Sequence, residues 1–163
     1  MINISYYNNT PYYLNVAEKI RESFNVTKKE LNLVSERTII ISLTIHKKCV
    51  ASICLISNSN LANYLKSKGM GQEAINANYL FRANRGIYIY NMSVDKDYRG
   101  KGYGQKLLEI TLYVCQLMNF DYCYSHCENE TSFHIFKKKG FNKENIFRNN
   151  KNDMIALMSY WLK

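Results

Sequence analysis

The stretch Val94-Asp-Lys-Asp-Tyr-Arg-Gly-Lys-Gly-Tyr-Gly104 is the part of the sequence that decides the fold. An apolar run, 87–94, comes just before it and has the length and the side chains of a buried strand. A segment with helical spacing of apolar residues, 105–118, follows at once. The order is therefore strand, glycine-rich loop, helix.

The loop has the features of an anion-binding site. Gly100, Gly102 and Gly104 lack the Cβ atoms that would keep a ligand away from the backbone. The loop leads into a helix N-terminus, where unpaired N–H groups and the helix dipole favour an anion such as a pyrophosphate. Arg99 and Lys101 add positive charge at the same place. A plain surface turn is the alternative interpretation of three glycines alone.

Two common nucleotide-binding motifs do not occur in this sequence. It contains no Gly-x-x-x-x-Gly-Lys-Ser/Thr, so the loop is not a P-loop. No Gly-x-Gly-x-x-Gly follows an early strand, which argues against a dinucleotide-binding fold.

Two blocks of the sequence resemble the GNAT superfamily of acetyl-CoA-dependent N-acetyltransferases. Arg99, Gly102 and Gly104 fit its signature Arg/Gln-x-x-Gly-x-Gly/Ala. A second block lies downstream, where the family has Asn-x-x-Ala-x-x-Leu-Tyr-x-x-x-Gly-Phe. Its matching positions are Asn129, Ser132, Ile135, Phe136, Gly140 and Phe141. The two blocks in this order and at this separation predict that fold and chemistry.

Periodicity along the chain predicts one α/β domain over residues 1–163. Strands are expected over 2–7, 38–45, 50–57, 87–94, 121–127 and 154–161. Helices are expected over 10–24, 27–35, 105–118 and 130–139. The order β-α-α-β-β-β-α-β-α-β is that of the GNAT fold, a mixed, mostly antiparallel sheet flanked by helices. The segment 58–85, with a helix near 61–67, is longer than the family's usual connection, and we expect it either to shape the acceptor site or to be a surface loop.

Composition narrows the possible partners and the compartment. The formal net charge is +9, but lysines and arginines are scattered and the densest run is only 137–139. A nucleic-acid partner is therefore not expected, and the charge suits solubility or a cofactor with several phosphates. Five cysteines without a leader-like N-terminus favour reduced thiols in the cytoplasm. No segment is long and apolar enough to span a membrane.

The resemblance also implies a cofactor site for acetyl-CoA as cosubstrate, without a metal. Loop amides would hold the CoA pyrophosphate, the end of the fourth strand would pair with pantetheine, and an N–H there would polarise the thioester carbonyl. The Asn129 side chain would bind pantetheine. The predicted cofactor-binding residues are Met92, Ser93, Val94, Arg99, Gly100, Lys101, Gly102, Tyr103, Gly104, Asn129, Ser132 and Phe136. The family often dimerises, so a homodimer is a further expectation.

The sequence departs from the family where proton transfer is concerned. The family's usual proton donor to sulfur is a tyrosine, and Phe136 occupies that position. Tyr124 or Ser132 could supply a hydroxyl instead. The family's base often lies eleven residues before the motif arginine, where Tyr88 stands, or five before the second-block asparagine, where Tyr124 stands. Tyr88 and Tyr124 are therefore the predicted catalytic residues, although tyrosines often serve only in packing.

Neither of these two base positions holds a carboxylate, and this bears on the choice of acceptor amine. A lysine amine with a pKa near ~10.4 needs about 4 kcal/mol to lose its proton near neutrality, whereas an α-amino group near ~7.8 needs well under ~1 kcal/mol. We therefore expect an α-amino group or another amine of low pKa as the acceptor, and the resemblance implies that this amine attacks the thioester directly. An acyl carrier at Cys123 or Cys127 is the less favoured route, and a metal at these cysteines with His126 fits no common spacing. A catalytically weak acyl-CoA-binding regulator is the alternative function.

Overall fold

The computed structural model describes residues 1–6, 38–58, 85–148 and 152–163. The described strands are β1 (Ile2–Tyr6), β2 (Ile39–Ile45), β3 (Lys48–Ser57), β4 (Gly86–Val94), β5 (Tyr122–Cys127), β6 (Asn142–Arg148) and β7 (Met154–Trp161). The described helices are α1 (Tyr103–Leu117) and α2 (Glu130–Lys138), with a 3₁₀ turn at Lys96–Tyr98. No helix among these residues is long and apolar enough to cross a membrane.

The described strands form one sheet in the order β1-β2-β3-β4-β5-β7-β6. Neighbouring strands run antiparallel except for β4 and β5, which run parallel. The predicted mixed, mostly antiparallel sheet with flanking helices is therefore confirmed. Each described element that the sequence predicted is present within about two residues of its expected ends.

One strand, β6, was not predicted. Its sequence, Asn-Lys-Glu-Asn-Ile-Phe-Arg, has no alternation of apolar and polar residues. It pairs only with β7 among the described strands and contains a bulge between Lys143 and Asn145. An edge strand exposes much of its surface to solvent, so periodicity gives little signal there.

The hydrophobic core lies between the sheet and the two described helices. Leu107, Leu108, Val114 and Cys115 of α1 are buried in it together with apolar residues of β2, β3 and β4. The buried Thr111 lies three or four residues from each of these positions, so all five lie on one face of the helix. The opposite face of the sheet has a different character. It carries buried tyrosines and a histidine, described below as part of the site.

Three predicted features lie outside the described residues. They are the helices over 10–24 and 27–35 and the interior of the segment 58–85 with its helix near 61–67. Only the ends of that segment, Asn58 and Arg85, are described.

Candidate active site

The glycine loop brings together a left-handed backbone and a helix N-terminus. Gly100 has φ +74° and Gly102 has φ +81°, values that L side chains rarely adopt. Gly102 is the N-cap of α1 and its position has no side-chain cap. The first N–H groups of a helix have no partner within the helix. The loop therefore presents backbone donors and the positive end of the α1 dipole, which together suit a phosphate group.

Side chains around the loop fix its shape. The carboxylate of Asp95 accepts from the backbone N–H of Asp97 at 3.0 Å and pairs with Lys48 Nζ at 3.1 Å. Lys101 Nζ donates to the Asp97 carbonyl oxygen at 3.0 Å. The ammonium groups of Lys48 and Lys101 lie 5.6 Å and 5.2 Å from the centre of the Tyr98 ring. These contacts hold the loop in place independently of any ligand.

Arg99 and Gly104 join the loop to its surroundings in different ways. Arg99 Nε donates to the carbonyl oxygen of Val94 at 3.1 Å, and its side chain is exposed beside the loop. A Cβ on Gly104 would lie 3.6 Å from Ile135 Cδ1 and from Val94 Cγ2, which is ordinary contact. Alanine, which the signature of the resembled family also allows, would therefore fit at this position of this chain.

Strands β4 and β5 separate and form a fork beside the loop. They pair over three residues, ending at Tyr88 opposite Tyr124. Beyond that point β4 contains a bulge: its register against β3 shifts between Ser93 and Tyr90, and Asn91 has φ +49°. A bulge bends its strand and increases its twist. Between residues 89 and 94, no described strand pairs with β4 on the side that faces β5.

The start of the fork is held by a side chain. Ser125 Oγ, the first β5 residue beyond the ladder, donates to the carbonyl oxygen of Ile89 at 2.8 Å. The β4 edge from Met92 to Val94, predicted to pair with pantetheine, lies further along the same opening. On its other side this edge pairs with β3, where Ser52 Oγ lies 3.1 Å from Ser93 Oγ. Cofactor pairing along this edge stays a prediction.

The two predicted catalytic tyrosines meet at the base of the fork. The rings of Tyr88 and Tyr124 have centroids 5.3 Å apart, and both side chains are buried. The Tyr88 hydroxyl lies 2.9 Å from Nδ1 of His126. The Tyr124 hydroxyl donates to Oδ1 of Asn58, whose Nδ2 donates to the Tyr122 hydroxyl at 3.4 Å. The two tyrosines therefore have different partners, an imidazole for one and an amide for the other.

Burial determines the protonation of this cluster. It raises the pKa of the Tyr88 hydroxyl, with a smaller contribution from the charge of Glu128. It also raises the pKa of Tyr124, and it lowers the pKa of His126 to about 4. At neutral pH both tyrosines are therefore protonated and the imidazole is neutral. A neutral imidazole can accept a hydrogen bond from the Tyr88 hydroxyl at Nδ1.

The second sequence block lies at the start of α2. Asn129 is the N-cap: its Oδ1 accepts from the backbone N–H of Ser132 at 2.8 Å, and its side chain is exposed. Ser132 Oγ donates back to the Asn129 carbonyl oxygen at 2.9 Å. Phe136 is buried, and its ring centroid lies 4.8 Å from that of Phe141 in an edge-to-face arrangement. The position at which the family has tyrosine is thus a packing position in this chain.

The cysteines of β5 are buried rather than reactive. Cys123 and Cys127 lie in the core on the side of the helices. Burial raises the pKa of Cys127 to about 12, and a hydrogen bond with Cys115 together with burial raises the pKa of Cys123. Because the thiolate is the nucleophile, this environment argues against an acyl-cysteine intermediate.

Sequence reasoning missed two polar residues of the fork. The sequence suggests His126 only as a metal ligand, although alternation along β5 places it on the same face as Tyr124. It suggests Asn58 only as the start of the segment 58–85, whereas in the structure the Asn58 side chain bridges Tyr122 and Tyr124. The first could have been found from strand periodicity, whereas the second depends on the pairing of distant segments.

Comparison with known proteins identifies the family. Residues 64–143 match the family model described as the acetyltransferase (GNAT) domain. No protein of curated function matches the sequence. The Escherichia coli ribosomal-protein-S18-alanine N-acetyltransferase has a similar structure, with a TM-score of 0.69 at 17% identity, covering 100% of this chain and 95% of that one.

Other solved structures share this fold. FeeM, an N-acyl amino acid synthase from uncultured soil microbes, gives a TM-score of 0.73 at 11% identity over 99% of this chain and 95% of its own. The aminoglycoside 6'-acetyltransferase type Ii gives a TM-score of 0.71 at 11% identity, covering 100% of this chain and 97% of its own. At these identities the similarity concerns the fold. Together with the domain match and the two sequence blocks, it shows that this chain belongs to the GNAT superfamily.

Proposed function

We propose that the protein transfers an acetyl group from acetyl-CoA to a primary amine by direct attack of the amine on the thioester. The observation that carries this proposal is the position of the fork. The opening between β4 and β5 begins at Tyr88 and Tyr124, and β4 then leads directly into the glycine loop at the N-terminus of α1. A ligand with a pyrophosphate at one end and a thioester at the other suits this path.

Each part of the site has a role in this proposal. The amides from Arg99 to Gly104 bind the pyrophosphate. The β4 edge from Met92 to Val94 pairs with pantetheine, and one of its N–H groups stabilises the developing oxyanion. Asn129 donates its side-chain amide to pantetheine, since its Oδ1 is already used as a helix cap. Tyr88 and Tyr124 lie where the amine must meet the thioester.

The acceptor that we favour is an α-amino group or another amine of low pKa. The polar groups that meet at the described base of the fork are tyrosine hydroxyls, an amide and a neutral imidazole, with the Glu128 carboxylate near Tyr88. Such groups suit an amine that is partly deprotonated at neutral pH. The names of two structural neighbours, an alanine N-acetyltransferase and an N-acyl amino acid synthase, are compatible with this class.

A thermal melt followed by a turnover assay tests the proposal. Acetyl-CoA at about a hundred times its Kd should stabilise the fold by about 2.7 kcal/mol, seen as a rise of several degrees in Tm. ATP and NADH serve as controls and should give no comparable rise. Release of free CoA is then measured with α-amino acids, short peptides and lysine side-chain analogues. No rise with any acyl-CoA would contradict the cofactor assignment.

A catalytically weak acyl-CoA-binding regulator is the second candidate. The buried Phe136 favours it, because the usual tyrosine hydroxyl of the family is absent at that position. Both candidates predict the thermal shift, so turnover separates them. A rise in Tm without CoA release for any amine class would favour the regulator. A cytoplasmic location and a homodimer stay predictions from the sequence and the resemblance.

A further inference from the structure

We propose that Tyr88 and His126 form a proton relay, in which the Tyr88 hydroxyl takes a proton from the acceptor amine and His126 holds the proton that Tyr88 gives up. The inference rests on the proposed function and names residues for its proton transfer. Tyr88 is the group that would touch the amine. His126 lies one step behind it and acts only through the tyrosine.

The contacts around Tyr88 single out this pair. The Tyr88 hydroxyl lies 2.9 Å from Nδ1 of His126, and the two rings have centroids 5.4 Å apart. Tyr88 is 3% exposed and His126 is 9% exposed, so little water competes for this hydrogen bond. Both residues lie where β4 and β5 separate, which is the start of the proposed acyl-CoA path.

The described hydrogen bonds of two neighbouring tyrosines are of a different kind. The hydroxyl of Tyr124 donates to the Asn58 amide oxygen, and that of Tyr90 lies 2.9 Å from Thr38 Oγ1. An amide oxygen or a threonine hydroxyl does not take up a proton at neutral pH. The neutral imidazole of His126 is a stronger base than either of these groups, and it lies directly behind the Tyr88 hydroxyl.

The relay conserves protons and electrons. As the amine nitrogen bonds to the thioester carbon, its N–H bond breaks and an O–H bond forms at Tyr88. The original Tyr88 O–H bond breaks at the same time, and an N–H bond forms at Nδ1 of His126. When the C–S bond breaks and its electron pair stays on sulfur, the N–H bond at Nδ1 of His126 breaks and an O–H bond re-forms at Tyr88, while the other Tyr88 O–H bond breaks and an S–H bond forms on the thiolate. The products are an amide and free CoA, with His126 neutral again.

This pathway offers a reason why Phe136 is compatible with catalysis. The pair returns the proton that it removed, so a separate hydroxyl at position 136 is not required. The low basicity of the buried imidazole suits this return, because a strong base would keep the proton.

Three substitutions test the relay in the full-length protein. Tyr88→Phe removes the hydroxyl. His126→Asn keeps an oxygen acceptor near the position of Nδ1 but cannot take up a proton, whereas His126→Ala removes both properties. Tyr90→Phe is the matched control, since Tyr90 is the next tyrosine on the same face of β4 and its ring centroid lies 6.0 Å from that of Tyr88. Tm and acetyl-CoA affinity are measured for every variant.

The relay predicts a specific pattern of turnover. Tyr88→Phe, His126→Asn and His126→Ala should each lower kcat by about 100-fold or more, with acetyl-CoA affinity within about threefold of wild type. The double variant Tyr88→Phe with His126→Asn should be no slower than the slower single variant. Tyr90→Phe should keep kcat within about threefold.

The pH profile separates a relay from a positioning role. With His126→Asn, proton removal falls to solvent base, so kcat should rise with pH between 7 and 9 by up to about tenfold per unit. Among the described residues, the other titratable groups around the pair include Tyr90, Tyr124, Cys127 and Glu128. Burial raises the pKa of both Tyr124 and Cys127, so neither titrates in this range.

Several outcomes would overturn the relay. If His126→Asn keeps more than about half of wild-type kcat, His126 only positions Tyr88, because mutational losses from acid–base groups are far larger. If Tyr88→Phe turns over normally, neither residue takes part. Wild-type protein that binds acetyl-CoA but acetylates no amine would instead remove the proposed function itself. Should the His126 variants fail to fold, normal turnover of Tyr88→Phe, which loses one oxygen atom, would still overturn the relay.

Discussion

The glycine loop and the base of the fork are adjacent parts of one proposed site, and they are built by opposite means. The loop is exposed, and its proposed binding groups are backbone amides held by two glycines with positive φ. The base of the fork is buried, and its proposed reactive groups are the side chains of Tyr88, Tyr124 and His126. Backbone donors can bind a phosphate in contact with water, whereas weak acids and bases are tuned by removal from water.

This difference determines what a substitution should do in each region. In the fork, a change alters burial, pKa or packing, and its effect extends to the stability of the whole sheet. In the loop, a change alters local backbone geometry and should affect ligand binding more than stability. The following predictions test this contrast.

The largest expected effect is a loss of folding stability in acid that is caused by protonation of His126. Its pKa is lowered from 6.5 to about 4 by burial, so between these values the unfolded chain binds more protons than the folded one. Stability should therefore fall as pH drops from 6.5 to 4, by up to about 3 kcal/mol, and be unaffected by this group above 6.5. Urea unfolding of wild type and His126→Asn at pH 7.5, 5.5 and 4.5 measures the difference.

Because other groups titrate in this range as well, the test compares the two proteins rather than two pH values. The stability gap between wild type and His126→Asn should shift in favour of the variant as pH falls. A gap that stays constant with pH would contradict the burial of a neutral imidazole.

Gly86 gives the second prediction, at the start of β4. A Cβ on Gly86 would lie 2.5 Å from the ring atoms of Tyr122, its partner in the β4–β5 ladder. Tyr122 is 2% exposed and cannot move away easily. Gly86→Ala should therefore destabilise the fold by about 2 kcal/mol, measured by chemical denaturation. With Tyr122→Ala as background, the same substitution should have little effect.

The glycines of the loop give the smallest expected effect on stability. Within this motif, Gly102 and Gly104 are expected to respond differently to substitution by alanine. Gly102 has positive φ, so Gly102→Ala should lose about 1 kcal/mol of stability through backbone strain, although no described atom lies within 4 Å of the added Cβ. Acetyl-CoA affinity should fall about tenfold, because the strained loop would no longer point its amides at the ligand. A tenfold loss of affinity corresponds to about 1.4 kcal/mol, close to the expected loss of stability.

Gly104→Ala is the matched control for that substitution. Its position is inside the first turn of α1, and its added Cβ meets neighbours at ordinary contact distance. Alanine is a better helix former than glycine, so stability should rise by up to about 0.5–1 kcal/mol and affinity should change by less than about threefold. Equal losses at both positions, measured by titration calorimetry, would contradict the geometric distinction.

Local sequence predicted the regions in which one segment determines its own structure. The strand-loop-helix order from 87 to 118 and the helix that begins at residue 130 both appear in the structure. Edge strand β6 did not follow from the sequence, because a strand with few buried side chains carries no clear alternation. The bulge at Asn91, which opens the fork, also gave no local signal.

The sequence by itself determined the family and the strand-loop-helix order, because glycine spacing and strand periodicity act over a few residues, and the resemblance to the family pointed to the two candidate tyrosines. Only the tertiary structure decided which partner each tyrosine has. The hydrogen bond from Tyr88 to His126 joins residues 38 positions apart, and that between Tyr124 and Asn58 joins residues 66 apart. Such contacts, and the pKa shifts that accompany them, depend on burial between strands that are distant in sequence.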